Sequence, residues 1–385
     1  MVVLGTRPEA IKLAPVIQEL DRREDIDLCV CSTGQHREMV DMTLEQFEIV
    51  PEIDLNLMQP DQHPSEFFGR LMLALHPVLE ERQPEVVVVQ GDTGTVAGAG
   101  LAAFMHGIQV AHVEAGLRTG DKWSPFPEEI NRRVAGVVAD VHFAPTAGAR
   151  DALLKEGVDE ATIFVTGNTG IDALLWMRGR EASRHRAVEA SSGDFSGGEK
   201  LVLVTAHRRE SFGKSFENIC LALKEIAERC GEVGLVYPVH LNPKVRGPVM
   251  EILGGVERIK LIEPVNYGEM VGLMDRAHLI LTDSGGIQEE APTLGTPVLV
   301  MRETTERPEA VEAGAARLVG TKRKAIVEAA LKLLTDTEAY ATMAAPRMVY
   351  GDGQAARRIG EVLATGRMES PAFAPPSTIP AATTP

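Results

Sequence analysis

Val86-Val87-Val88-Val89-Gln90-Gly91-Asp92-Thr93 decides the fold. Four β-branched residues in a row, apolar on both faces, read as a parallel strand buried inside a sheet. A glycine turn follows, then a carboxylate and a threonine where a helix should start. The same grammar runs outward in both directions. Gln109-Val110-Ala111-His112-Val113 and Val141-His142-Phe143 are further strand cores, while Pro8 to Leu20 and Glu66 to Leu79 carry apolar residues at helical spacing. After about residue 168 the alternation starts afresh with Leu201-Val202-Leu203-Val204, Leu235-Val236-Tyr237, Leu279-Ile280-Leu281 and Val298-Leu299-Val300. The expectation is an α/β protein of two Rossmann-like, doubly wound domains facing a central cleft. Residues 1–167 form the first, joined by a last helix at about 353–364, and residues 168–350 form the second. Ala182 to Glu199 reads as a surface connection, and residues 368–385, poor in charge and rich in Pro, Ala and Thr, as a disordered tail.

The chain has 385 residues, 44% hydrophobic and 24% charged, which suits two ordinary cores. A formal net charge of -16 argues against a nucleic-acid partner, because phosphate backbones need a basic footprint. One local cationic pocket would still serve a small phosphate ester. No apolar run has membrane length, and nothing resembles a signal peptide. The cysteines Cys29, Cys31, Cys220 and Cys230 form no metal-ligand pattern, and a reduced, cytoplasmic enzyme is expected.

Chemistry gathers where strands end. Gly5-Thr6-Arg7-Pro8 is a strand exit with Pro at a first helical position, placing Arg7 and Lys12 near a helix N-terminus. Asp92 is either an N-cap or a site residue. Glu114 ends another strand, and the rigid Ser124-Pro125-Phe126-Pro127 segment leads to Glu128, four residues before Arg132. Three carboxylates converging on one edge repel one another, which separates acid from base. The match of Gly98-x-Gly100-x-x-Ala103 to a dinucleotide fingerprint is rejected, since it falls inside an expected helix. In the second half, His207, Arg208 and Arg209 follow a strand, and His240 marks a less specific strand exit. Ser284-Gly285-Gly286 then starts a helix whose N–H groups favour an anion, with Glu290 placed to meet ribose hydroxyls. Arg307 adds a cation before another Pro-initiated helix.

Taken together, Gly5-Thr6-Arg7-Pro8-Glu9, Gln35-His36-Arg37-Glu38, Gly91-Asp92-Thr93, Glu114-Ala115-Gly116-Leu117-Arg118, Pro127-Glu128-Glu129, His207-Arg208-Arg209-Glu210, Asp283-Ser284-Gly285-Gly286 and Thr305-Glu306-Arg307-Pro308-Glu309 resemble the non-hydrolysing UDP-N-acetylglucosamine 2-epimerase family. The resemblance runs from Val2 to about Arg358 and implies a GT-B fold and a homodimer. It implies interconversion of UDP-GlcNAc and UDP-ManNAc, with no metal and no NAD. Residue by residue, it implies Asp92, Glu114, Glu128 and His207 as catalytic groups. Arg7, Lys12, Arg132, Ser284, Gly285, Gly286, Glu290 and Arg307 are the implied UDP and substrate ligands. Gln35, Arg37, Glu38, Arg70, Arg208 and His240 are the implied subsite for a second, activating UDP-GlcNAc. Two departures stand out: the first strand begins a few residues late, and Gly94, Gly98 and Gly100 occupy a helix where the family more often has Thr, Ser or Ala. A hydrolysing epimerase, a GT-B glycosyltransferase and a silent nucleotide-sugar sensor remain the competing readings.

Overall fold

The computed structural model describes residues 1–35, 37–59, 62–181 and 200–375, without the side chains of Arg37, Glu38, Glu181 and Arg209. The connection expected at 182–199, and residues 376–385 of the expected tail, lie outside the described residues. The chain divides into two compact units.

Unit 1 comprises Met1–Ala173 and Tyr350–Ala374. Among the described residues its sheet holds β1 (Val2–Leu4), β2 (Val30–Ser32), β3 (Ile53–Asp54), β4 (Val86–Gln90), β5 (Gln109–Val113), β6 (Val141–Ala144) and β7 (Ile163–Val165). All pairings are parallel, in the order β3-β2-β1-β4-β5-β6-β7. The order reverses between β1 and β4, so Gly5-Thr6-Arg7 and Gly91-Asp92-Thr93 leave adjacent strand ends, the place where open α/β sheets bind ligands. Short as it is, β1 lies in the middle of the sheet, paired on both sides.

The valine strand is buried as its sequence demands, Val87, Val88 and Val89 all being core residues. Helices Pro64–Arg82, Gly94–Met105 and Glu128–Val138 pack in succession over it. The glycines that weaken the middle helix have a packing reason. A Cβ on Gly98 would lie 2.5 Å from Leu71 Cδ2, and one on Gly100 3.2 Å from Val138 Cγ2. The rejected dinucleotide match therefore sits mid-helix, where it seats neighbours rather than phosphate.

Two expectations about the chain ends need correction. The first unit extends past residue 167 to Ala173, because Ile171 is fully buried and Asp172 accepts the Ala356 N–H at 2.9 Å. The expected tail is ordered over its first residues. The Phe373 N–H donates to the Val165 carbonyl at 2.9 Å with its ring buried, and Arg358 donates to the Pro371 carbonyl at 2.8 Å. These contacts anchor the segment after the returning helix Ala355–Thr365, which packs on helix Arg7–Asp21.

Unit 2, Leu174–Val349, repeats the plan with β8 (Lys200–Thr205), β9 (Val233–Pro238), β10 (Ile259–Ile262), β11 (Leu279–Thr282), β12 (Val298–Val300) and β13 (Ala316–Leu318). The parallel order β10-β9-β8-β11-β12-β13 reverses between β8 and β11. The core joins Val202, Val204, Leu235, Leu279, Leu281 and Leu299 to Ile219, Leu223 and Ile226 of helix Lys214–Arg229. All four cysteines are free thiols, Cys31 and Cys220 buried. No helix of the described residues is long and apolar enough to cross a membrane.

Candidate active site

In unit 1, Thr93 and not Asp92 caps the helix after β4. Its hydroxyl accepts the Val96 N–H at 3.4 Å. The Asp92 side chain is thereby released and forms an ion pair with Arg132, while its carbonyl accepts from Asn131 Nδ2 at 3.0 Å. Both partners belong to the helix that Glu128 opens. Glu114, directly after β5, has φ 63°, a left-handed conformation that costs a non-glycine residue about 1–3 kcal/mol. Its carboxylate pairs with Lys12 and accepts from Gln90 Nε2 at 3.1 Å. Two of the three carboxylates are thus each paired with a cation. Glu128 Oε2, by contrast, is buried with no hydrogen-bond partner.

Lys12 and Arg132, expected at UDP, both turn to these carboxylates. Arg132 also reaches Glu129 Oε2 at 3.3 Å, and Glu129 in turn accepts the Thr119 and Gly120 N–H groups at 3.1 and 3.2 Å. The loop between Glu114 and Glu128, which contains cis bonds before Pro125 and Pro127, is tied down at that point. Arg7 is the first residue of its helix. Beneath it lies Glu9, a carboxylate that sequence reasoning missed. Its Oε2 accepts the Gly5 and Thr6 N–H groups at 2.7 and 2.8 Å, and its Oε1 accepts the Thr93 hydroxyl. Burial pushes the Glu9 carboxyl up to about 7. The signal was present, since Thr6-x-x-Glu9 is a capping-box pattern, but nothing local announces the bond to Thr93.

His112 is buried beside this loop and donates from Nε2 to the Gly91 carbonyl at 2.8 Å. Burial drives it and His142, its register partner on β6, down to about 4, so both are neutral at physiological pH. Of the residues expected for a second ligand, Gln35 Oε1 accepts the Thr95 hydroxyl at 2.9 Å, and Arg70 donates to Gln62 Oε1 at 2.5 Å with a buried, partnerless Nε. The side chains of Arg37 and Glu38 lie outside the described residues.

In unit 2, helix Gly285–Leu294 starts as expected after β11, with Ser284 as N-cap. The Ser284 hydroxyl makes no capping bond, and its N–H donates to Thr282 Oγ1 at 2.9 Å. Gly285 lets the Arg307 guanidinium pack close: a Cβ there would lie 2.7 Å from Arg307 Cζ and push the arginine aside. Arg307 is oriented by Glu289, Nε donating to Oε1 at 2.8 Å, so a guanidinium is packed against an anion-binding helix start. Glu290 accepts from the Tyr267 hydroxyl at 3.2 Å. Gly286 faces open space.

The His207 loop is held by Asp283, which is fully buried and accepts the His207 and Arg208 N–H groups at 2.7 and 2.8 Å. His207 Nδ1 lies 3.7 Å from Asp283 Oδ1, and its ring stacks on His240 at 5.3 Å. Burial lowers the His207 pKa, against the pull of Asp283. Arg302, also missed, sits at the end of β12 and donates to Glu210 at 2.5 Å and to both Glu306 oxygens at 2.8 and 3.0 Å. These bonds hold the Glu306 carboxyl down at about 2. Glu306 is only four residues from Arg302, but no local pattern marks the bond to Glu210, 92 residues away. Among the described residues no cluster of His, Cys, Asp and Glu is arranged to hold a metal ion.

The sequence model of the UDP-N-acetylglucosamine 2-epimerase family matches residues 18–364. The chain belongs to this family. The UDP-N-acetylglucosamine 2-epimerase of Escherichia coli O157:H7 is 53% identical over 371 residues, 96% of this chain and 99% of its own. A crystal structure of the Neisseria meningitidis UDP-GlcNAc 2-epimerase bound to UDP-GlcNAc matches with TM-score 0.90 and 46% identity, covering 94% of this chain and 98% of that one. The Methanocaldococcus jannaschii UDP-GlcNAc 2-epimerase in complex with UDP-GlcNAc and UDP matches with TM-score 0.79 and 36% identity, covering 94% and 98%. Membership accords with the α/β, GT-B-type class of two Rossmann-like units, and the protein is an epimerase of this family.

Proposed function

We propose that the chain interconverts UDP-GlcNAc and UDP-ManNAc without hydrolysis, by eliminating UDP and adding it back. The observation that carries this reading is the set Asp92, Glu114 and Glu128, two of them held by cations and one with an unpartnered oxygen. A glycosyltransferase would need the anion site of unit 2 but has no use for that set.

The C2–H of the sugar is not next to a carbonyl, so its direct removal would be slow. Breaking C1–O, with the electron pair leaving on the UDP β-phosphate oxygen, gives C1 positive character and acidifies C2–H. A carboxylate takes that proton, and the C–H pair becomes the C1=C2 bond of 2-acetamidoglucal. A proton delivered to the opposite face of C2, and return of the UDP oxygen to C1, complete the epimer. Proton transfer on two faces calls for more than one carboxylate. The leaving diphosphate calls for Arg7, Arg307, His207 and the Ser284-Gly285 helix start.

A second UDP-GlcNAc is proposed as activator, with Gln35, Arg37, Glu38, Arg70, Arg208 and His240 as its ligands. The buried, partnerless Nε of Arg70 and of Arg208 support this, as donors not yet spent. A homodimer is proposed as well. Exposed Leu73, Phe104, Met105, Ile130 and Val137, on three helices packed in succession, offer an apolar face for a second copy. The free thiols suit a cytoplasmic location.

The test is incubation with UDP-GlcNAc in deuterated water, followed by NMR. UDP-ManNAc carrying deuterium at C2 is expected. Free ManNAc, or epimer without deuterium, would sink the proposal.

A further inference from the structure

Unit 1 reverses its strand order between β1 and β4, and the loops leaving these two strands carry different chemistry. The first leads to Arg7 and Lys12, the second to Asp92. Neighbouring strand ends do not by themselves fix one loop against another, because loop backbone is the most adaptable part of such a fold.

Here a single buried side chain spans the gap. Glu9, 1% exposed, takes two N–H groups of its own loop on one oxygen and the hydroxyl of Thr93, adjacent to Asp92, on the other. A capping box alone needs only the bond to the Thr6 N–H, so the bond to Thr93 is additional to the helix-capping task. Thr93 is also the N-cap of its helix, which makes it a junction: Glu9 on one side, the Val96 N–H on the other, and Asp92 held one residue away. Burying an acid costs free energy, and here no cation is recruited to offset it. Every recorded bond of Glu9 is instead to a neutral donor in one of the two loops.

We infer that Glu9 is a positioning residue for the reaction, a latch that holds the Asp92 turn in register with the Arg7 helix start through Thr93. It touches no substrate atom. It acts through the placement of Asp92, so the inference rests on the proton-transfer role proposed above. A displacement of about 1 Å at a proton-transfer group can cost on the order of a hundredfold in rate with little change in binding. The diphosphate ligands Ser284 and Arg307 belong to unit 2, and the loop before Arg7 keeps its own bonds to Glu9 when only the Thr93 hydroxyl is removed, so UDP binding should be indifferent to the Glu9–Thr93 bond.

The test compares Thr93→Val, which removes the hydroxyl, with Thr93→Ser, which keeps it, and Glu9→Leu with Glu9→Gln, whose amide can still bond Thr93. Steady-state kcat and KM for UDP-GlcNAc, and the Kd of UDP by calorimetry, are measured for each. Thr93→Val should lose about 30- to 100-fold in kcat with KM and UDP Kd within about threefold; Glu9→Leu, which also frees the loop before Arg7, should lose at least as much in kcat and weaken UDP as well, while Thr93→Ser and Glu9→Gln stay within about fivefold of the wild type. Should one of Thr93→Val and Glu9→Leu not fold, the other decides by its kcat. Thr93→Val with wild-type kcat overturns the latch, as does a kcat loss that the conservative variants share. Asp92→Asn is run alongside. If it is inactive while Thr93→Val is normal, only the latch fails; if it is fully active, the underlying proton-transfer reading fails first.

Discussion

In unit 1 the loops leaving β1 and β4 are joined through Glu9, whereas in unit 2 the loops leaving β8 and β11 are joined through Asp283. Both carboxylates are buried at the point where strand order reverses, and both accept backbone N–H groups. The difference lies in what surrounds them. Glu9 accepts from neutral donors, and the strand ends of its unit carry the acids Asp92 and Glu114, each paired with a cation. Asp283 lies beside His207, and its neighbourhood presents cations and a helix start. On the roles proposed above, one topology serves twice, once to hold proton-transfer groups and once to hold a leaving anion.

Several substitutions would break or sharpen that contrast. The largest effect is expected in unit 1. Glu114→Gln should lower kcat by about 10²–10⁴-fold, the usual range for a lost acid or base, with the Kd of UDP nearly unchanged; equal losses in both would dissolve the distinction between the units.

The second effect is on stability. Glu9 has its folded pKa raised from 4.5 to about 7, so its contribution is fully present below about pH 4.5 and is lost as pH rises through 7. At about 1.36 kcal/mol per unit, this amounts to roughly 3 kcal/mol. Glu9→Gln should therefore gain stability relative to the wild type between pH 4.5 and 8, as followed by urea denaturation. His112 and His142 work in the opposite sense: their contribution is present above about pH 6.5 and lost as pH falls through 4. Replacing either should flatten the acid limb.

In unit 2, Arg307→Ala should weaken UDP by about 10- to 100-fold, as expected for a charged hydrogen bond, with residual turnover recovered at high substrate. An unchanged Kd would detach Arg307 from the diphosphate. The smallest effect is expected at Gly98. Gly98→Ala gains about 1 kcal/mol of helix propensity but must move Leu71, at about 1–3 kcal/mol. A Tm lowered by a few degrees with unaltered kcat is expected from thermal melts and assays.

Much of this was legible in the sequence. The strand cores, the doubly wound class and the helix start at Ser284-Gly285 follow from local patterns, because burial on both faces and a glycine at a close approach leave marks in consecutive residues. What was not legible is pairing across the fold. Lys12 turns to Glu114 and Arg132 to Asp92 because of which strands are neighbours, a fact no spacing encodes. Arg302 and the Glu9–Thr93 bond were missed for the same reason. The extent of ordered chain beyond residue 368 was misjudged because Phe373 is the single aromatic in a stretch rich in Pro, Ala and Thr, and only its docking beside Val165 gives it meaning.

The most direct measurement of the division of labour is solvent-deuterium incorporation at C2 of UDP-GlcNAc by Asp92→Asn, taken together with its Kd for UDP. Incorporation reduced at least about a hundredfold, with UDP held as tightly as by the wild type, is the expected result. Incorporation at the wild-type rate would contradict it.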